Sequence, residues 1–488
     1  MTSGRMVLRG HIARTGRWFL ITFMVISLAL PYWTIGRGPE LLARAENVRP
    51  LDEEARTVRG RILDINGVEL ARTDAALDGY VKRVYAFPAL APVTGYWSLR
   101  YGMAGIEAAR NDDLRGARGA SLGEQLAAGL LHEPAIGNDV VLTIDTRIQR
   151  VADEALGQEK GAVVVLDTRS GAVLALASHP FFDPNTLDTN MQHLIADAGQ
   201  PLLNRATQGL YPPGSTFKTV TLIAGLEQGV VSPSTVFTYT LHPPDGQHHG
   251  WWHVSDQNIL CQNHPSNNSP FDLTGAFIWS CNVAFGDIGL AVGADAYRDY
   301  ARRFGLGKPI PFDLPTMASQ LNHTPDYFSG QERFYALAST AFGQGELTVT
   351  PLQMALVAAA VANDGKIPQP YLVARVQSPQ GRTLEVARPR TLSTVMSSAT
   401  AATVRDMMIA SVAEGWARSA GIAGIEVGGK TGTAETAAQE DPHSWFIGFA
   451  PGDSPRYAIA VVMERAGFGS AQAAPAAKKV LEALLQNR

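Results

Sequence analysis

Tyr211-Pro-Pro-Gly-Ser-Thr-Phe-Lys218 is the stretch that most constrains the fold of this chain. Its prolines and glycine exclude a helix before Ser215, whereas the apolar run 216–226 has the length of one. A helix should therefore begin at about Ser215, with Lys218 three residues later on the same face. Backbone N–H groups at a helix amino terminus also favour a developing negative charge. One turn would thus supply a nucleophile, a base and part of an anion site.

Lysine can act as the base for Ser215 only when it is neutral. Lowering a lysine pKa from about 10.4 to about 7 requires an environmental bias of roughly 4–5 kcal/mol. Burial and a second nearby cation can supply that bias. Lys430 is the candidate second cation.

A lone Ser-x-x-Lys motif is weak evidence, because a chain of this length contains about one or two by chance. A second motif, Gly428-Gly-Lys-Thr-Gly-Thr433, lies in a predicted strand. Lys-Thr-Gly arises by chance only about once in ten such chains. Lys430, Thr431, Gly432 and Thr433 are therefore candidate members of the same site.

A third motif, Ser280-Cys-Asn282, closes a predicted helical stretch over Phe271–Trp279. Ser266-Asn-Asn268 has the same pattern but lies in a loop rich in proline and asparagine. A packed helix end holds a proton-carrying hydroxyl more rigidly than a loop does, so we favour Ser280 and Asn282.

Two β-hairpins are predicted, one near each end of the largest domain. Residues 162–167 and 172–177 form the first, and residues 445–450 and 457–463 form the second. Mostly helical stretches such as Pro351–Ala362 lie between them. The pattern predicts an α+β fold, with helices packed on an antiparallel sheet built from both ends of the domain.

The amino-terminal region carries the predicted membrane anchor, the uncharged run 18–35, which nearly spans a hydrocarbon core as a helix. Four arginines and no acid precede it, so residues 1–17 should stay in the cytoplasm and the catalytic domain should lie outside. Ala43-Arg-Ala45 leaves a cleaved signal peptide as the alternative, although that site lies far beyond the apolar run.

Length and composition indicate a large catalytic domain with smaller pieces. Residues 36–145, punctuated by glycines, are predicted to form a small irregular pedestal domain, and residues 146–488 the catalytic domain. Apolar residues make up 45% and charged residues 18% of the chain, which is ordinary globular usage. A formal charge of −4 argues against nucleic acid as a partner.

Ser-x-x-Lys, Ser-x-Asn and Lys-Thr-Gly in this order resemble the motif set of penicillin-binding proteins and class A β-lactamases. Further segments look like class B penicillin-binding proteins, especially the short PbpA-like peptidoglycan D,D-transpeptidases. These segments are Arg59–Gly67, Ala177–Pro180, Gly343–Glu346, Thr350–Gln353 and Ala473–Pro475. The resemblance covers most of the chain after the anchor, and it implies a penicillin-binding transpeptidase domain that cross-links peptidoglycan.

The resemblance also implies roles for the motif residues. Ser215 would attack the penultimate D-alanine of a D-Ala-D-Ala stem peptide and form an acyl-enzyme, which β-lactams would trap. Lys218 would act as base, Ser280 would relay the proton and Asn282 would orient the substrate amide.

The Lys-Thr-Gly segment would bind the terminal carboxylate through Lys430, Thr431 and Thr433, with Gly432 between them. The backbone N–H groups of Ser215 and Thr433 would form the oxyanion hole. No metal or cofactor is implied.

Two departures and two rival functions accompany the resemblance. Cys281 replaces the commoner aspartate of the second motif, with little expected effect. The pedestal is too short for a glycosyltransferase domain, so a RodA- or FtsW-like glycan polymerase would be a partner.

Two other functions are considered. The first is a β-lactam hydrolase or sensor, for which no Glu-x-x-x-Asn element is evident. The second is a non-catalytic scaffold for the polymerase.

The chain has two cysteines, Cys261 and Cys281. Outside the cytoplasm they could form a disulfide worth ~3 kcal/mol, with two separate thiols as the alternative. Nearby histidines suggest zinc, but their spacing matches no standard pattern and we expect no metal site; they are His248, His249, His253 and His264.

Overall fold

The computed structural model describes residues 3–37, 54–75, 79–119, 136–238, 248–254, 257–262, 271–436 and 439–486. The chain divides into two compact units, Met1–Thr57 with Ala75–Val81, and Val58–Asp74 with Lys82–Arg488. The second unit holds the whole central sheet and every motif of the predicted site.

The strands of the described residues are two to eight residues long. They are β1 Ile62–Leu63, β2 Glu69–Ala75, β3 Val81–Tyr85, β4 Trp97–Ser98, β5 Gly102–Met103, β6 Asp139–Leu142, β7 Gly161–Asp167, β8 Val173–His179, β9 Val236–Phe237, β10 His248–Val254, β11 Gln257–Gln262, β12 Phe271–Asp272, β13 Lys366–Pro368, β14 Val373–Gln377, β15 Thr383–Val386, β16 Thr391–Thr394, β17 Gly428–Ala434, β18 His443–Ala450 and β19 Tyr457–Met463.

The α-helices of the described residues are numbered in the same way. They are α1 Ser3–Pro31, α2 Ala91–Thr94, α3 Gly105–Ala109, α4 Asn111–Leu114, α5 Thr146–Leu156, α6 Leu187–Ala196, α7 Arg205–Gln208, α8 Lys218–Glu227, α9 Leu273–Ile278, α10 Asn282–Val292, α11 Ala294–Arg303, α12 Arg333–Ala341, α13 Pro351–Ala362, α14 Ser398–Ala413 and α15 Ala473–Gln486.

The central sheet has five antiparallel strands in the order β17-β18-β19-β7-β8. Both predicted hairpins are present as β7–β8 and β18–β19, and β19 pairs with β7, which joins the two ends of the catalytic domain. The expected antiparallel sheet built from both ends, in an α+β fold, is confirmed.

Both faces of this sheet are buried, because alternate side chains of each strand enter different cores. On β7, Val164 and Leu166 join the core that contains α13, whereas Val163 and Val165 join the core that contains α5 and α15. The sheet is therefore the middle layer between two layers of helices.

Helix α13 has the predicted bounds, and its start follows from local chemistry. The Thr350 hydroxyl accepts a hydrogen bond from the Gln353 backbone N–H at 3.1 Å, and Pro351 occupies the first turn, where its missing N–H costs nothing. The predicted helix over Phe271–Trp279 is shorter than expected. Phe271 and Asp272 form β12, and the Asp272 side chain caps α9.

A second sheet has six strands in the order β15-β14-β6-β1-β2-β3. Its members come from both sides of the predicted boundary at residues 145 and 146, since β14 pairs antiparallel with β6. The pedestal expected to be irregular thus contributes four strands to a sheet completed by two strands of the catalytic region. The predicted domain limits themselves stay a prediction.

The amino-terminal helix α1 is long enough to cross a membrane. Its apolar span covers Gly10–Pro31, and a π-helical turn, Tyr32–Gly36, continues it. The helix therefore begins well before the predicted anchor at 18–35 and ends its α-helical part earlier. It fits a single-pass membrane protein.

Candidate active site

The nucleophile turn has the form that the sequence predicts. A single 3₁₀ turn, Gly214–Phe217, contains Ser215 and leads into α8, which begins at Lys218, so helical structure begins one residue before the predicted position. The Lys218 Nζ lies 2.8 Å from the Ser215 Oγ, the distance of a direct hydrogen bond. Nucleophile and candidate base are therefore in contact on one helical face.

Glycines allow the nucleophile turn to pack closely against its neighbours. Gly214 has a φ of +54°, and a Cβ added there would lie 2.6 Å from the Thr433 carbonyl oxygen. A Cβ on Gly432 would lie 2.8 Å from the Pro213 carbonyl oxygen, and one on Gly343 would overlap the Gly214 carbonyl. The Lys-Thr-Gly strand thus lies directly beside the serine.

Lys218 is fully buried and is surrounded by oxygen atoms. Besides Ser215, its Nζ donates to the Ser280 backbone oxygen at 2.8 Å and to the Asn282 Oδ1 at 2.6 Å. The Ser280 Oγ is 3.0 Å away. Ser215, Ser280 and Asn282 therefore all contact the amine of Lys218.

Ser280 links the two lysines of the site. Its Oγ lies 3.0 Å from the Nζ of Lys218 and 3.0 Å from the Nζ of Lys430. The residue sits between α9 and α10 with a φ of +62°, a left-handed conformation that is uncommon for a residue with a Cβ. This conformation directs both oxygens of Ser280 at Lys218.

Glycine and alanine at position 280 should separate backbone strain from the hydroxyl. We expect Ser280→Gly to be more stable than Ser280→Ala by about 1 kcal/mol, because only glycine avoids the left-handed penalty. Both variants should be acylated by penicillin about 10²-fold or more slowly, since neither can carry a proton. Thermal unfolding and the acylation rate measure the two effects. Equal stability of the two variants would contradict backbone strain at position 280. Fast acylation of either variant would contradict proton transfer by the Ser280 hydroxyl.

Lys430 is fully buried at the start of the Lys-Thr-Gly segment. Its Nζ also donates to the Thr431 backbone oxygen at 3.1 Å. Burial, and secondarily the charge of Lys218, hold the pKa of Lys430 well below its ordinary value. The two amines share the Ser280 hydroxyl, so a positive charge on one disfavours a positive charge on the other.

The lowered pKa of Lys430 makes stability depend on pH. In the unfolded chain the lysine keeps its proton up to about pH 10.5, whereas in the folded chain it has lost it at a lower pH. The unfolded state then binds more protons in this window, so stability rises with pH by at most about 1.4 kcal/mol per unit. The melting temperature of the wild type should therefore rise relative to Lys430→Met between pH 7 and pH 9.5. Parallel pH curves for the two proteins would disprove this coupling.

The motif residues open into a cavity of about 420 Å³. Ser215, Ser280, Asn282, Thr431 and Thr433 line it, so the predicted site is assembled at one place. Strand β17 is the edge of the central sheet, and an edge strand offers backbone groups to a bound extended chain. Lys218 and Lys430 lie beneath this surface.

The remaining cavity wall was not identified from the sequence motifs. Its described members are Asn258, Ile259, Tyr335, Phe342, Gln344, Trp416, Glu435, Phe468 and Ser470. Gln344 lies within Gly343–Glu346, a segment that resembles class B penicillin-binding proteins. The sequence therefore contained a signal for this residue. Trp416 carries no motif and could only be found through the fold.

A buried polar cluster that the sequence analysis missed supports the nucleophile turn. The Glu464 Oε1 accepts hydrogen bonds from the Tyr211 hydroxyl at 2.8 Å and from the Arg205 Nε at 2.7 Å. The Trp445 Nε1 donates to the Pro212 carbonyl at 3.0 Å. The segment before Ser215 is thus fixed from two sides.

The predictions about the disulfide and the competing Ser-x-Asn motif involve residues or side chains that the structure does not describe. Cys281 is buried, but the side chain of Cys261 is not described, so the disulfide stays a prediction. The competing motif Ser266–Asn268 and His264 also lie outside the described residues. Among the residues that the structure does describe, no group of three or more metal-binding side chains was found.

A serine beside a buried lysine, a second lysine one hydroxyl away and an open edge strand define a serine acyltransferase. The chain belongs to the penicillin-binding protein family. The model of the penicillin-binding protein transpeptidase domain matches residues 161–482, and that of the penicillin-binding protein A dimerisation domain matches residues 59–140.

Similar proteins agree with this membership. The peptidoglycan D,D-transpeptidase PbpA of Mycolicibacterium smegmatis is 35% identical over 474 residues, which cover 91% of this chain and 93% of the relative. The ceftriaxone acyl-enzyme of penicillin-binding protein A from Mycobacterium tuberculosis matches 89% of this chain and all of its own at 33% identity, with a TM-score of 0.78. A D,D-transpeptidase domain from Eggerthella lenta is 35% identical, with a TM-score of 0.78 over 89% of this chain and 99% of its own.

Proposed function

We propose that the protein is a peptidoglycan D,D-transpeptidase that works through an acyl-enzyme on Ser215 and is inhibited covalently by β-lactams. The observation that carries this proposal is the chain of contacts from the Ser215 Oγ through Lys218 and Ser280 to Lys430, at the floor of an open cavity. Relatives named as D,D-transpeptidases and solved β-lactam acyl-enzymes support it.

Acylation would begin with attack of the Ser215 Oγ on the carbonyl carbon of the penultimate D-alanine. Neutral Lys218 takes the hydroxyl proton, and the carbonyl oxygen becomes an oxyanion that the backbone N–H groups of Ser215 and Thr433 stabilise. Collapse of this intermediate breaks the C–N bond. Ser280 passes the proton from Lys218 to the departing amine, and D-alanine leaves.

Deacylation completes the cross-link by the reverse route. An amine of a neighbouring stem peptide attacks the ester carbonyl, and its proton passes to Lys218 as the C–O bond to Ser215 breaks. Serine regains its hydroxyl hydrogen, so no cofactor is consumed. Asn282, which lines the cavity beside Lys218, would orient the substrate amide.

Recognition of the terminal carboxylate would fall to the Lys-Thr-Gly segment. Thr431 and Thr433 line the cavity, and a residual charge on the lysine pair attracts an anion. Gly432 lets the strand approach the nucleophile turn closely. β-Lactams carry a carboxylate and a strained amide in the same relation, which is why they would occupy this site.

We further propose the placement of the protein in the cell. Residues 18–35 lie within the membrane anchor, residues 1–17 stay in the cytoplasm, and the catalytic domain 146–488 faces the cell wall. The pedestal 36–145 and the anchor would bind a RodA- or FtsW-like glycan polymerase. Protease added to intact spheroplasts should degrade the catalytic domain, and copurification of such a polymerase should be lost when 1–145 are exchanged for an unrelated anchor.

The decisive test uses the full-length protein in detergent with fluorescent penicillin and with a D-Ala-D-Ala peptide. We expect covalent labelling that persists for hours, and release of D-alanine coupled to transfer of the acyl group to an added amine. Labelling lost within minutes at neutral pH would favour the hydrolase instead. A folded protein that neither labels nor releases D-alanine would leave only the scaffold role.

A further inference from the structure

The active-site cavity has an unusual distribution of charge. Glu435 is the one acidic side chain among the described residues that line it. It is exposed and makes no hydrogen bond or ion pair with the described part of the chain. Such a carboxylate at a substrate cavity is available to a ligand, because it is exposed and no partner for it lies among the described residues.

The strand geometry fixes where this carboxylate lies relative to the reaction. Thr431 and Thr433 alternate on the edge strand β17, Glu435 follows directly after its last residue, and all three side chains line the same cavity. In the proposed reaction the terminal carboxylate binds near Lys430 and Thr431, and the reacting carbonyl lies at Thr433. The rest of the donor peptide must then extend toward Glu435.

The distance from Thr433 to Glu435 indicates which residue of the donor peptide lies near Glu435. Glu435 lies two residues beyond Thr433, which corresponds to about 7 Å of extended chain. In an extended donor the residue before the two D-alanines is one residue, about 3.4 Å, from the reacting D-alanine. A long side chain on that residue can span the rest of the distance to Glu435. The cleft therefore presents the threonine hydroxyls of the Lys-Thr-Gly segment at the carboxylate end and a carboxylate at the opposite end.

Peptidoglycan chemistry supplies a matching group. A cross-link forms when the amine of one stem peptide attacks another, so the stems that act as donors carry the same amine. We propose that Glu435 selects donor peptides whose residue immediately before D-Ala-D-Ala has a cationic side chain. This inference rests on the proposed D,D-transpeptidase function and adds a specificity residue to it.

The test compares two donors that differ only in this charge. Both are peptides ending in D-Ala-D-thiolactate, preceded by lysine in one and by Nε-acetyl-lysine in the other, and thiol release by full-length protein without acceptor reports acylation alone. We expect the wild type to prefer the lysine donor by about threefold to fivefold in kcat/KM, the usual effect of an exposed ion pair. The preference should fall to about one in Glu435→Gln and invert in Glu435→Lys. It should also weaken at 1 M salt.

Glu332→Gln is the matched control. Burial raises the pKa of Tyr335, with smaller contributions from Tyr327 and from the charges of Glu435 and Glu332, so both carboxylates lie near this ring. Glu332 does not line the cavity, and its variant should keep the wild-type preference. Titration with penicillin counts the assembled sites in every variant, so a folding defect is not mistaken for lost selectivity.

The outcomes separate this inference from the function on which it rests. Equal rates for the two donors in the wild type, or a preference that survives in Glu435→Gln, would overturn the role of Glu435 and leave the transpeptidase standing. A variant that acylates normally but transfers poorly to an amine would overturn it too, by assigning Glu435 to the acceptor. No thiol release from either donor would overturn both.

Discussion

Replacing Ser215 by alanine should abolish covalent labelling by penicillin, with a loss of on the order of 10⁴-fold or more in the acylation rate. In the proposed mechanism the Ser215 hydroxyl oxygen forms the ester, and in the structure it contacts the Nζ of Lys218 directly. Lys218 keeps Ser280 and Asn282 as hydrogen-bond partners, so the fold should persist. In-gel fluorescence after incubation with labelled penicillin measures the effect.

Ser470→Ala is the matched control for this experiment. Ser470 lines the same cavity, but its hydroxyl has no assigned part in the chemistry. We expect this variant to be labelled at close to the wild-type rate. Persistent labelling of Ser215→Ala, with an unchanged melting temperature, would show that another residue forms the acyl-enzyme.

Substitution of Lys218 should produce the second-largest loss. Lys218→Arg and Lys218→Met should both be acylated on the order of 10³-fold more slowly than the wild type, because neither can accept the serine proton. Arginine keeps the positive charge but stays protonated at any working pH, so it isolates proton acceptance from charge. Stopped-flow acylation with a chromogenic cephalosporin gives the rates.

The arginine variant decides between two roles of the residue. Acylation of Lys218→Arg at the wild-type rate would mean that position 218 supplies charge rather than a base. Methionine removes the donor to four surrounding oxygens, so its stability should be measured separately by thermal unfolding. A variant that is stable but inactive supports the catalytic role.

Local sequence patterns predicted those parts of the site that depend on neighbours in the chain. The Ser215–Lys218 contact needs only helical spacing, and the hairpin β18–β19 needs only two alternating strands around a turn. Helix α13 follows from Thr350 and Pro351, which mark its first turn. Each of these features is decided within about a dozen residues.

Other features depend on contacts between distant segments, which no local pattern records. The φ of +62° at Ser280 arises where two helices meet, and the predicted single helix gave no indication of it. The pairing of β14 with β6 joins segments more than two hundred residues apart, so a boundary drawn along the chain missed the shared sheet. Glu435 acquires its importance only because β17 is an edge strand beside the cavity.

The close packing of glycines around the nucleophile also limits how this protein could evolve resistance to antibiotics. A side chain at Gly214, Gly343 or Gly432 would collide with neighbouring backbone, so such changes would disable the enzyme along with drug binding. Escape mutations are therefore expected on the outer wall of the cavity, at positions such as Phe468, whose side chain is largely exposed. Inhibitors that depend only on the nucleophile turn and the Lys-Thr-Gly strand would leave fewer routes to resistance.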